Sequence, residues 1–244
     1  MKIPLPKVTN VGEPKAHPFP FQIGTQTLEF LQGTIFYVSF VDIAAGEFIR
    51  IPGAMEHMEA RFLERLYNKE TYDQAWEYLR KYQEIFVQTV YSNVLISFCS
   101  HWDWYIQRLS SFVEFARMYV SSPKLSKTEK KDFKRIGNIP FLFQIEILEK
   151  ASGVMFSISQ GIRDQLKEMT LVRNLGLHNR WEVDEKYLHL SDTKGLEIGD
   201  LRLIEIDELK CWHGGLISLI TETAKCIAIR FVDAPDFPKN MILF

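Results

Sequence analysis

Three side chains close together in the sequence have the chemistry to act on a phosphate ester. Arg173, Asn174 and His178 lie in the segment RNLGLHN at residues 173–179. A histidine can accept or donate a proton near neutral pH, because its ordinary pKa is close to neutrality. An arginine keeps its charge and can bind two phosphate oxygens, and an asparagine can donate to a phosphate or orient a histidine. These residue types are therefore suited to acid–base chemistry beside a phosphate.

Helical spacing decides which of these side chains can meet. An amphipathic helix is predicted over about residues 156–178, because four apolar residues repeat at three- and four-residue steps: Ile162, Leu166, Met169 and Val172. On an ideal helix Asn174 and His178 lie within about 40° of each other, whereas Arg173 lies about 140° from His178. Arg173 can reach the same site if its side chain extends round the helix, or if the helix loosens at Gly176. Loosening is plausible there because a glycine costs about 1 kcal/mol relative to alanine inside a helix.

This segment resembles the R-x4-6-H signature of the HEPN superfamily, whose helical domains occur in many prokaryotic toxin and defence RNases. The resemblance lies in an RN-x3-H sequence that is followed by the polar Asn179 and by a short acidic segment ending at Asp184. It covers about residues 84–232 and leaves the first third of the chain unexplained. It implies an all-α helical bundle that acts as a metal-independent endoribonuclease in a toxin or defence setting. It further implies RNA as the partner, a homodimer whose two motifs meet, and an antitoxin protein as a further partner.

Metal-independent RNA cleavage needs a base for the ribose 2′-OH, a cation for the phosphate and an acid for the departing 5′ oxygen. By this chemistry His178 is the acid or base, Arg173 holds the phosphate and Asn174 positions the other groups. A single histidine is too few for two proton transfers, so the family's two-fold arrangement implies that two copies of His178 share them. The expected products are a 2′,3′-cyclic phosphate and a 5′-hydroxyl.

Other interpretations of the motif remain open. Asn174 and His178 could simply cap the end of the helix, and Arg173 could pair with a nearby carboxylate, with three candidates: Glu168, Glu182 and Asp184. A second functional hypothesis is a non-catalytic HEPN-like module that binds RNA, a nucleotide or a protein. A third is a helical protein with a structural role alone.

A basic segment, KLSKTEKKDFKRI, is a second candidate for RNA contact. Five of its cations could follow an RNA backbone: Lys127, Lys130, Lys131, Lys134 and Arg135. The commoner explanation of such a segment is a solvated helix face. With a formal net charge of −2, the whole protein does not attract nucleic acid, so any RNA contact must come from a local patch of this kind.

Asp103 is a third candidate, within the sequence HWDWY at residues 101–105. Its carboxylate could orient His178 from a neighbouring helix, or a nearby ring could stack on a base. The alternative is that Trp102 and Tyr105 are core residues.

Metal and disulfide chemistry are not indicated. The six histidines form neither an HExxH nor an ExxH motif, so no metal or cofactor is expected. The odd number of cysteines includes no CxxC pair, which predicts buried reduced thiols in a cytoplasmic protein: Cys99, Cys211 and Cys226. The longest apolar run, 85–99, contains polar residues and is too short to span a bilayer, so no membrane association is expected.

The composition, 46% hydrophobic and 25% charged, is that of a globular protein. We expect an N-terminal arm and helical extension at 1–83, a HEPN-like helical bundle at 84–232 and an extended tail at 233–244. Within the extension, 27–45 is predicted as a buried helix, with a strand as the alternative, and 54–68 as a further helix.

Several boundaries are predicted within the remainder of the chain. Helices are expected at 72–81 and at 84–119, the second with a bend or break, because about 36 residues would extend roughly 54 Å. Ser126 and Glu129 fit a capping box that opens a short charged helix. Residues 187–190 and 201–206 could pair as one short β-hairpin. Asp207 is expected to cap a last helix at about 208–231.

Overall fold

A computed structural model gives the fold of residues 19–50 and 69–234, with side chains described at 20–37 and 87–234. These residues form seven α-helices and no β-strand, which confirms the predicted all-α fold class. In chain order the helices are α1 (Phe19–Arg50), α2 (Lys69–Ala116), α3 (Lys127–Lys134), α4 (Phe141–Ser152), α5 (Gln160–Asn179), α6 (Glu185–Leu190) and α7 (Ile206–Ile227). A 3-10 turn at Ile136–Asn138 precedes α4, and a π-helical turn at Ala228–Val232 continues α7.

Helix α2 is central, because α1, α4, α5 and α7 all pack against it. Its apolar residues recur at helical spacing and are fully or almost fully buried: Leu95, Phe98, Trp102, Tyr105, Ile106 and Leu109. The hydroxyl groups of Tyr105 and Thr223 lie 2.7 Å apart, which ties α2 to α7. None of the helices in the described ranges has both the length and the apolar character that crossing a membrane requires.

The prediction of two helices at 72–81 and 84–119, with a break in the second, is wrong. A single helix of 48 residues runs from Lys69 to Ala116. The reason is that this stretch contains neither glycine nor proline, the residues that most often interrupt a helix.

Helix α1 confirms the predicted helix at 27–45 and excludes the strand alternative. Its buried residues Ile23, Leu31 and Ile35 join the same core as those of α2 and α7. The predicted arm up to residue 18, the helix at 54–68 and the tail from 235 lie outside the described residues. The division predicted at residue 83 falls inside α2.

The predicted β-hairpin is wrong. Its first half lies in α6, where the Asp184 carboxylate accepts a hydrogen bond from the Tyr187 N–H at 2.7 Å and caps the helix. The second half contributes only Leu201 to an isolated bridge, which pairs with Glu182. A four-residue apolar–polar alternation also fits one helical turn, and here the capping carboxylate favours the helix.

Side-chain caps set two other helix starts. The predicted capping box is confirmed at α3: Glu129 N–H donates to Ser126 Oγ at 3.2 Å, and Ser126 N–H donates to Glu129 Oε2 at 2.7 Å. The predicted capping role of Asp207 is wrong, because α7 begins at Ile206, two residues before the predicted start, with Glu205 as its cap.

Candidate functional site

Helix α5 carries the candidate motif, and its buried face sets the direction of the motif side chains. Ser159 Oγ caps the first turn by accepting from the Ile162 N–H at 3.4 Å. One face of the helix is buried through four residues: Leu166, Met169, Val172 and Leu175. The predicted apolar stripe is therefore correct, although Ile162 is only half-buried. Arg173 is half-buried beside this face, whereas Asn174 and His178 are exposed.

A cavity of about 810 Å³ lies between α5, α2, α4 and the 3-10 turn. Sites for small molecules typically enclose about 300–1,000 Å³. Polar groups from three helices line the cavity: Asp103 on α2, Gln144 on α4, and Lys167, Thr170, Arg173 and Asn174 on α5. The structure thus brings three of the predicted site residues to one cavity: Arg173, Asn174 and Asp103.

The guanidinium of Arg173 has few protein partners. Its Nη1 donates a hydrogen bond to Asn174 Oδ1 at 3.0 Å. Its Nε is buried and has no hydrogen-bond partner among the described residues. An unsatisfied buried donor costs about 1–3 kcal/mol, and more when the group is charged. The fold therefore retains a cation on the cavity wall at an energetic cost.

The alternative in which Arg173 pairs with a nearby carboxylate is not found. Within the described part of the chain, no carboxylate lies within ion-pair distance of its guanidinium. Glu168 instead accepts from Ser191 Oγ at 2.8 Å, and Asp184 caps α6. The positive charge of Arg173 thus stays unneutralised by direct contact.

Asp103 faces the same cavity, and its environment disfavours its ionised form. Burial raises the pKa of the Asp103 carboxyl, while a hydrogen bond from Gln144 Nε2 at 3.5 Å and the charge of Arg173 oppose that rise. Gln144 is held from its other side, because Trp102 Nε1 donates to Gln144 Oε1 at 2.5 Å. The amide of Gln144 is thereby fixed with its NH₂ toward Asp103.

One hypothesis is that Asp103 orients His178 from a neighbouring helix. Within the described residues its hydrogen-bond partner is Gln144, and it also senses the charge of Arg173 without direct contact. Trp102 and Tyr105 are both core residues, as the structural alternative predicted, with 2% and 0% of their surfaces exposed.

Cys99 lines the cavity from α2, and its burial disfavours the thiolate form. Burial raises the pKa of Cys99 to about 12, with the charge of Arg173 opposing and that of Asp103 adding to the rise. All three cysteines are free, but the prediction of buried thiols holds only for Cys99, because Cys226 is half-buried and Cys211 is exposed.

His178 lies on the last turn of α5 and does not line the cavity. Its ring is exposed and makes no hydrogen bond to a described residue. On an ideal helix it shares a face with Asn174, one turn further along. The structure therefore gathers Arg173, Asn174 and Asp103, and leaves the imidazole outside the cavity and open to solvent.

The helix does not loosen at Gly176, contrary to expectation. Helix α5 continues through this position and ends at Asn179. A Cβ built at Gly176 would lie 2.2 Å from Trp181 Cζ2, so the glycine makes room for the indole. Two successive left-handed residues then reverse the chain, Arg180 at φ 54° and Trp181 at φ 68°. Asn179 Nδ2 secures the turn by donating to the Glu182 carbonyl at 2.5 Å.

A buried polar network holds the segment that follows the motif. Glu168 accepts hydrogen bonds from Tyr187 at 2.5 Å and from Thr193 at 3.0 Å. Arg202 Nε donates to Tyr187 Oη at 2.9 Å, and its guanidinium pairs with Glu208 at the start of α7. This network joins the middle of α5, at Glu168, to α6 and to the start of α7.

The basic residues lie on α3 and just after it, and all are exposed: Lys127, Lys130, Lys131, Lys134 and Arg135. Helix α3 packs against α4, which forms one wall of the cavity. At its start, Glu129 pairs with Lys150 of α4. Both the predicted RNA contact and the solvated face are compatible with this exposure.

Three of the cavity residues are not among the predicted site residues: Lys167, Phe143 and Gln144. Phe143 lines the cavity, yet 59% of its surface is exposed. Gln144 is almost fully buried, with 3% exposed. A glutamine inside the apolar run FLFQIEIL was the one available signal, because buried amides need hydrogen-bond partners.

Comparison of the chain with protein-family models, with curated proteins and with solved structures found no match. Within the described ranges, no three His, Cys, Asp or Glu side chains cluster as metal ligands would. The functional assignment therefore depends on the chemistry and geometry of the α5 site.

Proposed function

We propose that the protein is a HEPN-like, metal-independent endoribonuclease that acts in a toxin or defence setting. One observation carries the proposal. The guanidinium of Arg173 lies on a cavity wall beside Asn174 and has no ion-pair partner among the described residues. The exposed imidazole of His178 lies one turn beyond on the same helix. A fixed cation, an amide and a free acid–base group are the parts that phosphodiester cleavage needs.

The chemistry follows from these groups. The imidazole of His178 takes the proton of the ribose 2′-OH, and the 2′ oxygen attacks the adjacent phosphorus. Arg173 stabilises the negative charge that grows on the phosphate oxygens, and Asn174 holds both the guanidinium and the phosphate in place. The bond to the 5′ oxygen breaks, and that oxygen takes a proton from a second imidazole. The products are a 2′,3′-cyclic phosphate and a 5′-hydroxyl.

The second imidazole is supplied by a second copy of the chain in this proposal. Apolar side chains are exposed around the end of α5: Leu177, Leu201 and Leu203. Exposed apolar groups of this kind often mark protein interfaces. A two-fold interface through them would bring the two copies of His178 toward each other. The active form is thus a homodimer in the cytoplasm, where an antitoxin protein would bind and restrain it.

The test is cleavage of labelled single-stranded RNA by the full chain in EDTA. General acid–base groups contribute about 10²- to 10⁴-fold, so we expect His178→Ala to slow cleavage by at least about 100-fold. Arg173→Ala should have a similar effect. His189→Ala is the matched control, because His189 is another exposed histidine, on α6. Equal cleavage rates for the His178→Ala and His189→Ala variants, or no cleavage by the wild-type protein, would refute the proposed ribonuclease activity.

A second candidate function is a non-catalytic HEPN-like module that binds RNA, a nucleotide or a protein. The observation that favours it is the position of His178 outside the cavity that contains Arg173 and Asn174. In that case Arg173→Ala weakens RNA binding, no RNA is cut, and His178→Ala changes nothing. Gel-shift assays run beside the cleavage assay separate the two functions.

A further inference from the structure

Phe143 is placed at the mouth of the cavity as an aromatic platform. It lines the cavity from α4, and 59% of its surface remains exposed although its neighbours Leu142 and Gln144 are half-buried and buried. The ring of Phe143 is thus exposed to solvent beside the cavity and is not packed in the core. Bases of single-stranded RNA stack on exposed rings of this kind, whatever their sequence, because every base has a π-face.

The charge of the cavity favours an anion. Its described lining holds two cations, Arg173 and Lys167, and one carboxylate, Asp103. Arg173 has no ion-pair partner among the described residues, and Lys167 reaches only Asp192, 4.0 Å away, whose side chain is 91% exposed. The guanidinium fork of Arg173 therefore remains available for phosphate oxygens.

The inner wall presents hydrogen-bonding groups in a fixed arrangement. Trp102 holds the Gln144 amide, and that amide donates to one oxygen of Asp103. Among the described residues, the other carboxylate oxygen of Asp103 has no hydrogen-bond donor, so it can accept from a ligand. Carboxylates read bases in this way by accepting from their amino groups.

We propose that this cavity binds one nucleotide of the RNA substrate, with its phosphate on Arg173, its base stacked on Phe143, and the edge of the base against Asp103. Gln144 is a positioning residue, because it acts by orienting Asp103. The inference rests on the proposed RNA-directed function and names the residues that would select the nucleotide beside the cleaved bond.

Titration calorimetry of the full chain with the four ribonucleoside 5′-monophosphates tests this pocket. The best-binding nucleotide is then compared with its nucleoside and with inorganic phosphate. We expect Phe143→Ala to weaken binding of the nucleotide and the nucleoside by about tenfold, as the loss of one stacked base would. Binding of inorganic phosphate should not change. Arg173→Lys should weaken binding of the nucleotide and of inorganic phosphate but not binding of the nucleoside.

Phe36→Ala is the matched control, because Phe36 is also a helical phenylalanine, 64% exposed, on α1. It should leave all binding unchanged, and circular dichroism should show that each variant is folded. Asp103→Asn should alter the order of preference among the four nucleotides. An unchanged order would overturn the role of Asp103 in reading the base.

Two outcomes separate this pocket from the proposed enzyme. The proposed nucleotide pocket is refuted if RNA is cut in EDTA but no monophosphate binds, or if Phe143→Ala binds nucleotides as Phe36→Ala does. The proposed ribonuclease activity is unaffected by either result. If nucleotides bind with the expected pattern but no RNA is cut, the proposed nucleotide pocket is supported and the proposed ribonuclease activity is refuted.

Discussion

The indole of Trp181 packs on Gly176, so closely that a Cβ at position 176 would lie 2.2 Å from Trp181 Cζ2. Trp181 reaches this position only because it and Arg180 both adopt left-handed backbone angles. The contact folds the chain back onto the last turn of α5, next to His178. The glycine in the motif is therefore explained by packing rather than by flexibility.

Gly176→Ala should destabilise the protein, although alanine is the better helix former. The new methyl group would displace Trp181, and overpacking of this kind typically costs about 1–3 kcal/mol. Urea unfolding measures the change. Gly214→Ala is the control, because Gly214 lies within α7 with no other side chain within 4 Å, and that variant should gain up to about 1 kcal/mol. Stabilisation of both variants would contradict the packing role.

Arg173→Met should keep or raise stability while abolishing RNA cleavage. The substitution removes a buried Nε that has no partner, a group whose burial costs about 1–3 kcal/mol. Thermal unfolding and the EDTA cleavage assay measure the two effects. Arg108→Met serves as the control, since exposed Arg108 lies over the Trp104 ring and away from the cavity. If Arg173→Met but not Arg108→Met lowers the free energy of unfolding by more than about 2 kcal/mol, Arg173 has a structural role.

The Asp103→Asn variant should gain free energy of unfolding relative to the wild-type protein as the pH rises. Burial raises the pKa of Asp103 above its ordinary 3.8, so the folded protein holds this proton more tightly than the unfolded chain does. The stability that this provides is complete below about pH 4 and is lost as the pH rises through the folded pKa. Asparagine does not ionise, so the variant does not lose this stability as the pH rises. Urea unfolding of both proteins at pH 3.5 and pH 7 should show a larger advantage of the variant at pH 7, and an equal difference at both would contradict burial of the charge.

Lys131→Ala should weaken RNA binding and reduce its dependence on salt. If α3 follows the RNA backbone, each lost phosphate contact lowers the slope of log K against log[salt] by about 0.7 for a single strand. Fluorescence anisotropy between 50 and 200 mM salt gives that slope. Lys225→Ala, at an exposed lysine of α7, should leave it unchanged. If the two variants show the same slope of log K against log[salt], the basic segment is a solvated helix face that does not contact RNA.

Helical periodicity and capping patterns predict local features of α5 and α3. The buried stripe of α5 and the capping box of Ser126 and Glu129 are local features, and both are found where the spacing indicates. The extent of α2 was underestimated, since length alone suggested a break that the residues between 69 and 116 do not supply. The hairpin was wrong because a short alternating pattern does not distinguish one helical turn from a strand.

The cavity could not be predicted from the sequence, because its walls come from helices far apart in the chain. Asp103 was identified as a candidate, but its proximity to Arg173 rather than to His178 depends on how α2 packs against α5. Gln144 is joined to Trp102 across 42 positions, and no local pattern encodes such a contact. Local spacing predicts which way a side chain points, whereas packing decides what it meets.

The chemistry at the ends of the RNA fragments tests the central claim most directly. Full-length protein is incubated in EDTA with a defined single-stranded RNA, and with the same RNA carrying 2′-O-methyl groups, and the products are weighed by mass spectrometry. Attack by the 2′ oxygen should leave 2′,3′-cyclic phosphate and 5′-hydroxyl ends, only on the unmodified RNA, and only with His178 present. Fragments with 5′-phosphate ends, cleavage of the methylated RNA, or the same products from His178→Ala would contradict a metal-independent site built on Arg173 and His178.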